Sequence, residues 1–375
     1  MTMRVLLLNY EYPPLGGGAA NATRYLLDEF AQLPDLEVDL VTSSVDRARV
    51  EEHEGGITLH FLDIGKRGNL HYQTNKDLLA YAWRAWRYAK RLRNTHDYDV
   101  CHAFFGIPCG YLAMHLGLPY IVSLRGSDVP FYNERFKHLD RLLFKRLSKR
   151  IWRRAHQVVA NSQGLRQLAL SSAPGQPIEV IYNGVDTEAF RPAPRQGGGL
   201  RVICVSRLIA RKGIDYLIRA LAALDSTDIS LTLVGTGNQE QPLKTLATDL
   251  GVADRIDFAG FVDHDAVAAW YQRHDVFVLP SLNEGMSNTA LEAMACGLPL
   301  LMTDTGGASE LLEDKVNGFL LRQRDAEDIA RRLRAYAEDP ELATQHGQQS
   351  REKALTLSWR AVAHAYLDLY RSSIA

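Results

Sequence analysis

Two short apolar runs, Arg4–Asn9 (RVLLLN) and Arg201–Ser206 (RVICVS), stand about half a chain apart, and each leads into a loop and then a helical pattern. A short run that is apolar through its middle, without strict alternation, reads as a strand of a parallel sheet buried on both faces. Its recurrence half a chain later points to two open α/β sheets. The first run is followed by Val38–Val41, Val100–Phe105, Tyr120–Leu124, Gln157–Ala160 and Val180–Tyr182. After the second come Leu231–Val234, Ile256–Phe261, Val276–Leu279 and Leu298–Thr303, with helical stretches between. This alternation predicts two doubly wound domains, and 375 residues suffice for both at about 150 per domain.

The junction falls at Arg191–Gly199 (RPAPRQGGG), where Pro and Gly remove helix and strand propensity. The expected domains are 1–190 and 191–375. Toward the C-terminus Val362, Ala365, Tyr366, Leu369 and Tyr370 recur at helical spacing, so this helix needs a surface to cover. Periodicity does not say which; one placement sends the last helix, about 359–375, back onto the N-terminal domain.

Net charge is −1, with residues 1–190 holding 23 Lys/Arg against 20 Asp/Glu and the remainder 20 against 24. That balance gives no reason to expect nucleic acid as a partner. Four scattered cysteines without a C-x-x-C predict reduced thiols rather than disulfides or a structural metal. The start of the chain is too short for a signal h-region, and no stretch approaches the ~20 apolar residues of a membrane span. A cytoplasmic protein is the expectation.

Three stretches could carry chemistry. Gly16, Gly17 and Gly18 follow the first strand and precede a helix, so their backbone could approach an anion at the helix N-terminus, or simply make a tight turn. Arg207 and Lys212 lie at the end of the strand 201–206 and could meet a diphosphate or be solvated surface charges. The third stretch, Pro280–Gly297 (PSLNEGMSNTALEAMACG), follows the run 276–279. It places Glu284 in a loop, Ser287, Asn288 and Thr289 at the first helical turn, and Glu292 further along the helix. Amides there suit phosphate, and carboxylates suit sugar or ribose hydroxyls. Gly235, after the run 231–234, is a weaker candidate without the dinucleotide spacing.

Taken together these strings resemble the retaining glycosyltransferases of family 4. The others are N-G-V-D at Asn183–Asp186, S-R-L-x-x-x-K-G at 206–213, G-F-V at 260–262, and Gly306-Gly307 with Glu310. They occur in the family's order over nearly the whole chain. The resemblance implies the GT-B fold, two Rossmann-like α/β domains facing across a cleft, with the donor on the C-terminal domain and the acceptor on the N-terminal one. By it, Arg207 and Lys212 neutralise the donor β-phosphate, Glu284 contacts the donor sugar, and Glu292 holds the ribose. Amides around Asn288 and Thr289 meet the diphosphate, Val262 lies beside the base, and Gly16–Gly18 lie near donor or acceptor phosphates. The implied reaction transfers a sugar from a nucleotide diphosphate sugar, UDP- or GDP-linked, to a glycan, lipid-linked or small-molecule acceptor, with retention and with no cofactor. A nucleotide-sugar epimerase and a non-catalytic sugar-nucleotide-binding protein are the alternatives.

Where many family members carry a His, this chain reads Ser123-Leu124-Arg125-Gly126-Ser127-Asp128. Arg125 stays protonated and could bind a phosphate or sugar hydroxyls, with Asp128 beside it. His102 is either a further contact on that side or a satisfied core histidine. Asp263-His264-Asp265 matches a metal-binding D-x-D, but Asp265 reads better as a helix N-cap, so no metal is expected. Finally, residues 133–154 hold nine Lys/Arg against two acids around an apolar stripe. This segment is either a peripheral membrane contact or a core-packed helix with a solvated basic back.

Overall fold

The computed structural model describes residues 2–66, 70, 73–132, 143–194, 198–224, 228–284, 286–305 and 307–374. Gly285, Gly306 and residues 133–142 of the basic segment lie outside these. The chain forms two compact units, Met1–Asn183 with Trp359–Ala375, and Gly184–Ser358.

The first unit is built on β1 (Met3–Leu8), β2 (Leu36–Ser44), β3 (Arg49–His53), β4 (Ile57–Asp63), β5 (Val100–Phe104), β6 (Tyr120–Leu124), β7 (Gln157–Ala160) and β8 (Glu179–Val180). Their order across the sheet is β3-β4-β2-β1-β5-β6-β7-β8. All neighbours are parallel except the edge pair β3 and β4. Val5 aligns with Val38 on one side and Val100 on the other. Residues 5–8 are wholly buried because helices cover both faces, which explains their unbroken apolar run. Strand order reverses between β1 and β5, so the loops leaving their C-terminal ends diverge and open a crevice, the usual ligand position in such sheets.

The second unit is an all-parallel sheet of β9 (Leu200–Val205), β10 (Ile229–Val234), β11 (Ile256–Gly260), β12 (Val276–Leu279), β13 (Leu300–Thr303) and β14 (Gly318–Leu321), ordered β11-β10-β9-β12-β13-β14. Its switch point lies between β9 and β12, so it is framed by the loops carrying Arg207, Lys212 and Glu284.

The division falls at Asn183/Gly184 rather than at the Pro/Gly-rich stretch. The Val185 N–H donates to the Leu357 carbonyl, Arg351 donates to the Thr187 and Phe190 carbonyls, and Gln272 donates to that of Arg191. Residues 185–191 therefore belong to the second unit, and Pro192 marks a surface loop rather than the hinge. Trp359–Ile374 belongs to the first unit. Its buried face carries Trp359, Val362, Tyr366 and Tyr370. Trp359 stacks on Tyr25 with centroids 5.5 Å apart, and Tyr370 lies 5.8 Å from Phe30, which fixes this helix along the helix Gly18–Phe30. Each such ring removed from water contributes about 1.5–3 kcal/mol. Among the described residues, no helix is long and apolar enough to cross a membrane.

Candidate functional site

In the second unit, β9 leads through Arg207, which is exposed, into a tight turn over Ala210–Lys212. Gly213 follows with φ 62°, and a Cβ there would stand 2.3 Å from the Pro280 carbonyl oxygen. Only glycine lets the loop after β9 lie against the loop after β12. The Leu282 N–H donates to the Arg211 carbonyl at 2.8 Å, and the Arg211 guanidinium to the Asn283 carbonyl at 2.6 Å. Between these backbone ties Lys212 Nζ donates to Glu284 Oε2 at 2.5 Å, with Arg211 3.9 Å from the same carboxylate. Burial pushes the Glu284 carboxyl up, but Lys212 and Arg211 outweigh it and hold it below the usual carboxylate range. It is therefore an anion at neutral pH.

The helix Asn288–Ala295 starts one loop further on. Ser287 is its N-cap, with Oγ accepting from the Ala290 N–H at 3.3 Å and lying 3.1 Å from Thr289 Oγ1. Asn288 and Thr289 are half-buried in the first turn, where amides accumulate positive potential. Glu292 lies further along, 7% exposed, with Oε2 accepting from the Tyr271 hydroxyl at 2.9 Å and Oε1 3.8 Å from His264 Nδ1. Burial pushes its carboxyl up to about 8, against the pull of the Tyr271 hydrogen bond. Two glutamates with seven residues between them thus occupy opposite protonation states at pH 7. Val262, half-buried, lies just beyond β11.

Gly235 differs from its expected role as a ligand contact. Its amide donates to the Gly260 carbonyl at 2.7 Å, and a Cβ on it would stand 2.0 Å from the Ser206 carbonyl. The residue lets two chain segments pass closely, and its N–H is already used. Asp265 does not cap a helix: it lies inside the short turn His264–Ala266, whose N-cap position is Asp263, with no side-chain capping bond. Among the described residues no cluster of three or more His, Cys, Asp or Glu could hold a metal ion.

In the first unit, the loop after β1 is held by buried Asn9, which donates to Thr23 Oγ1 at 2.8 Å and accepts from the Glu11 N–H at 3.0 Å. Gly16 has φ 97°, and a Cβ there would lie 2.6 Å from the Glu11 carboxylate. Its amide donates to the Leu70 carbonyl at 2.9 Å. Gly17 and Gly18 are exposed at the start of the helix Gly18–Phe30, whose first turn carries no acid, and a Cβ at Gly17 would meet open space. Of the three glycines, Gly16 is required by the turn, while Gly17 is exposed with open space beside it, where an anion could approach the backbone.

Arg125 follows β6. Its guanidinium donates to Asn183 Oδ1 at 2.9 Å and to Tyr366 Oη at 3.4 Å, and stands 3.9 Å from the centre of the Phe104 ring. Its Nε is buried without a hydrogen-bond partner. Asp128 has its carboxylate filled by the backbone amides of Gly106, Arg125 and Gly126 at 2.7, 3.0 and 3.0 Å. It ties the loops after β5 and β6 together and is spent as a clamp rather than presented to a substrate. His102 is 0% exposed, with Nδ1 on Tyr370 Oη and Nε2 on Ser123 Oγ, both at 2.7 Å. Burial, reinforced by nearby Arg125, pushes its pKa well down, so the ring is neutral. The substrate contact expected at His102 gives way to a positioning role: Ser123 Oγ, held by the imidazole, bonds at 2.9 Å to the same Tyr366 hydroxyl that Arg125 reaches. Tyr366 and Tyr370 were visible in the sequence only as apolar positions of a helix, and no local signal announces that their hydroxyls reach a site some 240 residues upstream.

Residues 16–189 match the family model described as Glycosyltransferase Family 4, and residues 185–353 the model described as Glycosyl transferases group 1. A D-inositol 3-phosphate glycosyltransferase of Saccharomonospora viridis is 31% identical over 381 residues, covering 91% of this chain and 85% of the relative. A GDP-mannose-dependent alpha-(1-6)-phosphatidylinositol monomannoside mannosyltransferase of Mycolicibacterium smegmatis is 34% identical over 299 residues, covering 72% and 76%. Among solved structures, sucrose-phosphate synthase from Thermosynechococcus elongatus superposes with a TM-score of 0.86 at 23% identity, over 99% of this chain and 98% of that one. Anabaena HepE in complex with UDP-glucose gives 0.74 at 21% identity, over 99% and 100%. The two-unit α/β architecture is that of these structures, the GT-B fold.

Proposed function

The chain belongs to glycosyltransferase family 4, and on that premise we propose that it transfers a sugar from a nucleotide diphosphate sugar to an acceptor hydroxyl, with retention of anomeric configuration and without a metal ion. The observation that carries this reading is the closure of the loops after β9 and β12 on each other. It brings Lys212 and Glu284 into contact at the switch point of the second sheet, the same strand edge from which Arg207 leaves β9. Negative charge grows on the β-phosphate as the glycosidic C–O bond breaks, and two cations held at that edge stabilise it. Glu284, kept ionised by Lys212, accepts hydrogen bonds from donor sugar hydroxyls. The first turn at Asn288 and Thr289 favours the diphosphate, and Glu292 with Tyr271 serves the ribose.

Neither glutamate is set up as a nucleophile, since Glu284 is engaged by Lys212 and Glu292 is largely protonated at neutral pH. The acceptor oxygen instead attacks from the face the phosphate leaves. Its proton passes to a phosphate oxygen, and one C–O bond replaces another on the same side. The first unit takes the acceptor. The charge of Arg125 and the exposed turn at Gly17 suit an anionic group, which agrees with the relatives' names, inositol 3-phosphate and phosphatidylinositol.

A thermal-shift screen of the full chain against UDP, GDP, ADP and their sugar conjugates, with and without EDTA, tests this reading. A rise in Tm with UDP or GDP compounds that survives EDTA is expected. No rise, or one abolished by EDTA, contradicts it.

A further inference from the structure

The helix Asn75–Thr95 turns two opposite faces outward and inward. Tyr81, Ala85, Ala89 and Leu92 are buried against the sheet. On the other side, in one line at intervals of four, three and four residues, stand Leu79 (72% exposed), Trp83 (60%), Trp86 (38%) and Lys90. Two tryptophans and a leucine in a row leave a large apolar area on water, which is costly to hydration. Beside them the edge strand β3 exposes Val50, and the two elements border a groove of about 690 Å³. The helix carries six Lys/Arg and a single acid, Asp77, which is engaged by Lys66 at 2.8 Å.

The cations are interleaved with the rings. Arg87 lies 5.1 Å from the Trp83 ring centre and Lys90 4.1 Å from that of Trp86. Each pair presents an apolar plane and a positive group at the same height, the combination that places a ring among acyl-chain ends while its cation meets a lipid phosphate. Leu79 and Val50 offer nothing to the hydroxyls of a glycan, and the density of like charge disfavours a second copy of this face. We propose that the outer face of Asn75–Thr95, with the adjoining edge of β3, docks the protein on an anionic phospholipid bilayer. The surface is distinct from the basic segment considered in the sequence, of which Lys145–Arg154 is described as a helix with Ser148, Ile151 and Trp152 buried. The docking stands independently of which donor the second unit takes.

The test is flotation of the full chain with vesicles of phosphatidylglycerol and phosphatidylcholine in equal parts, and with phosphatidylcholine alone. Binding to the anionic vesicles is expected, falling about tenfold or more on phosphatidylcholine or on raising salt from about 50 to about 500 mM. The double variants Trp83→Ser/Trp86→Ser and Arg87→Glu/Lys90→Glu each lower binding by about tenfold or more at unchanged Tm, since all four side chains are exposed. Lys149→Glu/Arg153→Glu leaves it unchanged. Brominated acyl chains quench tryptophan fluorescence in the parent and not in the double tryptophan variant. Absence of vesicle binding, equal binding by the tryptophan variant, binding of heparin but not of vesicles, or self-association abolished by the tryptophan change would each overturn the proposal.

Discussion

The two switch points handle positive charge in opposite ways. In the second unit the buried Lys212 is compensated by the Glu284 carboxylate at 2.5 Å, and the loops that carry the pair are tied by backbone hydrogen bonds. In the first, the groups the Arg125 guanidinium reaches, Asn183, Tyr366 and the Phe104 ring, are neutral, as is His102 behind them, while the Asp128 carboxylate, which also acts on it, is held by backbone amides. An ion pair at a binding edge means that an incoming phosphate must share its lysine with an existing carboxylate, which favours a ligand offering hydroxyls to that carboxylate as well as phosphate to the lysine. A guanidinium whose hydrogen-bond partners are neutral keeps more of its charge for an anion. On the proposed function, this contrast sends the sugar-bearing diphosphate to the second unit and a simpler anion to the first.

The largest effects come from breaking the compensated pair. Lys212→Ala leaves the largely covered Glu284 without its main partner and with Arg211 still 3.9 Å away, which should destabilise the chain by about 1–3 kcal/mol and reduce turnover about 10²-fold or more. Arg207→Ala, at an exposed position, should lose a similar factor in turnover with Tm unchanged, which separates charge stabilisation from folding; near-parental turnover would remove Arg207 from the mechanism. Next comes Glu292. Its carboxyl titrates near 8 in the native chain against an ordinary 4.5, so the native state keeps a proton that the unfolded state releases between those values. Stability should therefore fall by a few kcal/mol as pH rises from about 5 to about 8, then level off. Urea unfolding of Glu292→Gln should show that part of the slope gone, and an unaltered slope would place the titration elsewhere.

Smaller effects probe the Arg125 side. Arg125→Lys keeps charge but cannot reach Asn183 and Tyr366 together, so KM for an anionic acceptor should rise about tenfold with kcat little changed. Tyr366→Phe removes one hydroxyl shared by Ser123 and Arg125 and should cost about 1 kcal/mol of stability and a few-fold in the same KM. A change in donor KM instead would break the division between the two units.

Why the sequence disclosed some of this and not the rest is a matter of burial and of separation along the chain. β1 and β9 are legible because covering both faces of a strand demands an apolar run. β3 (RVEEH) lies at an edge with exposed side chains, so it carries no comparable pattern. Pro and Gly around residue 192 mark a turn, but composition does not show that Arg351 and Gln272 hold the preceding segment to the second unit. Arg207, Lys212, Glu284 and Glu292 were legible as motif residues, whereas the Lys212–Glu284 bond joins positions 72 apart and becomes visible only when β9 and β12 lie side by side. At His102, Asp128 and Gly235 the residue types suit a ligand, yet the fold had already used their polar groups.

The most direct test of the compensated pair is calorimetric titration of the parent and Glu284→Gln with the free nucleoside diphosphate and with its sugar conjugate. Removing the carboxylate charge releases Lys212 to the phosphate, so the account predicts free diphosphate bound as tightly or more tightly, while the added affinity of the sugar conjugate is lost. Equal weakening of both ligands would contradict it.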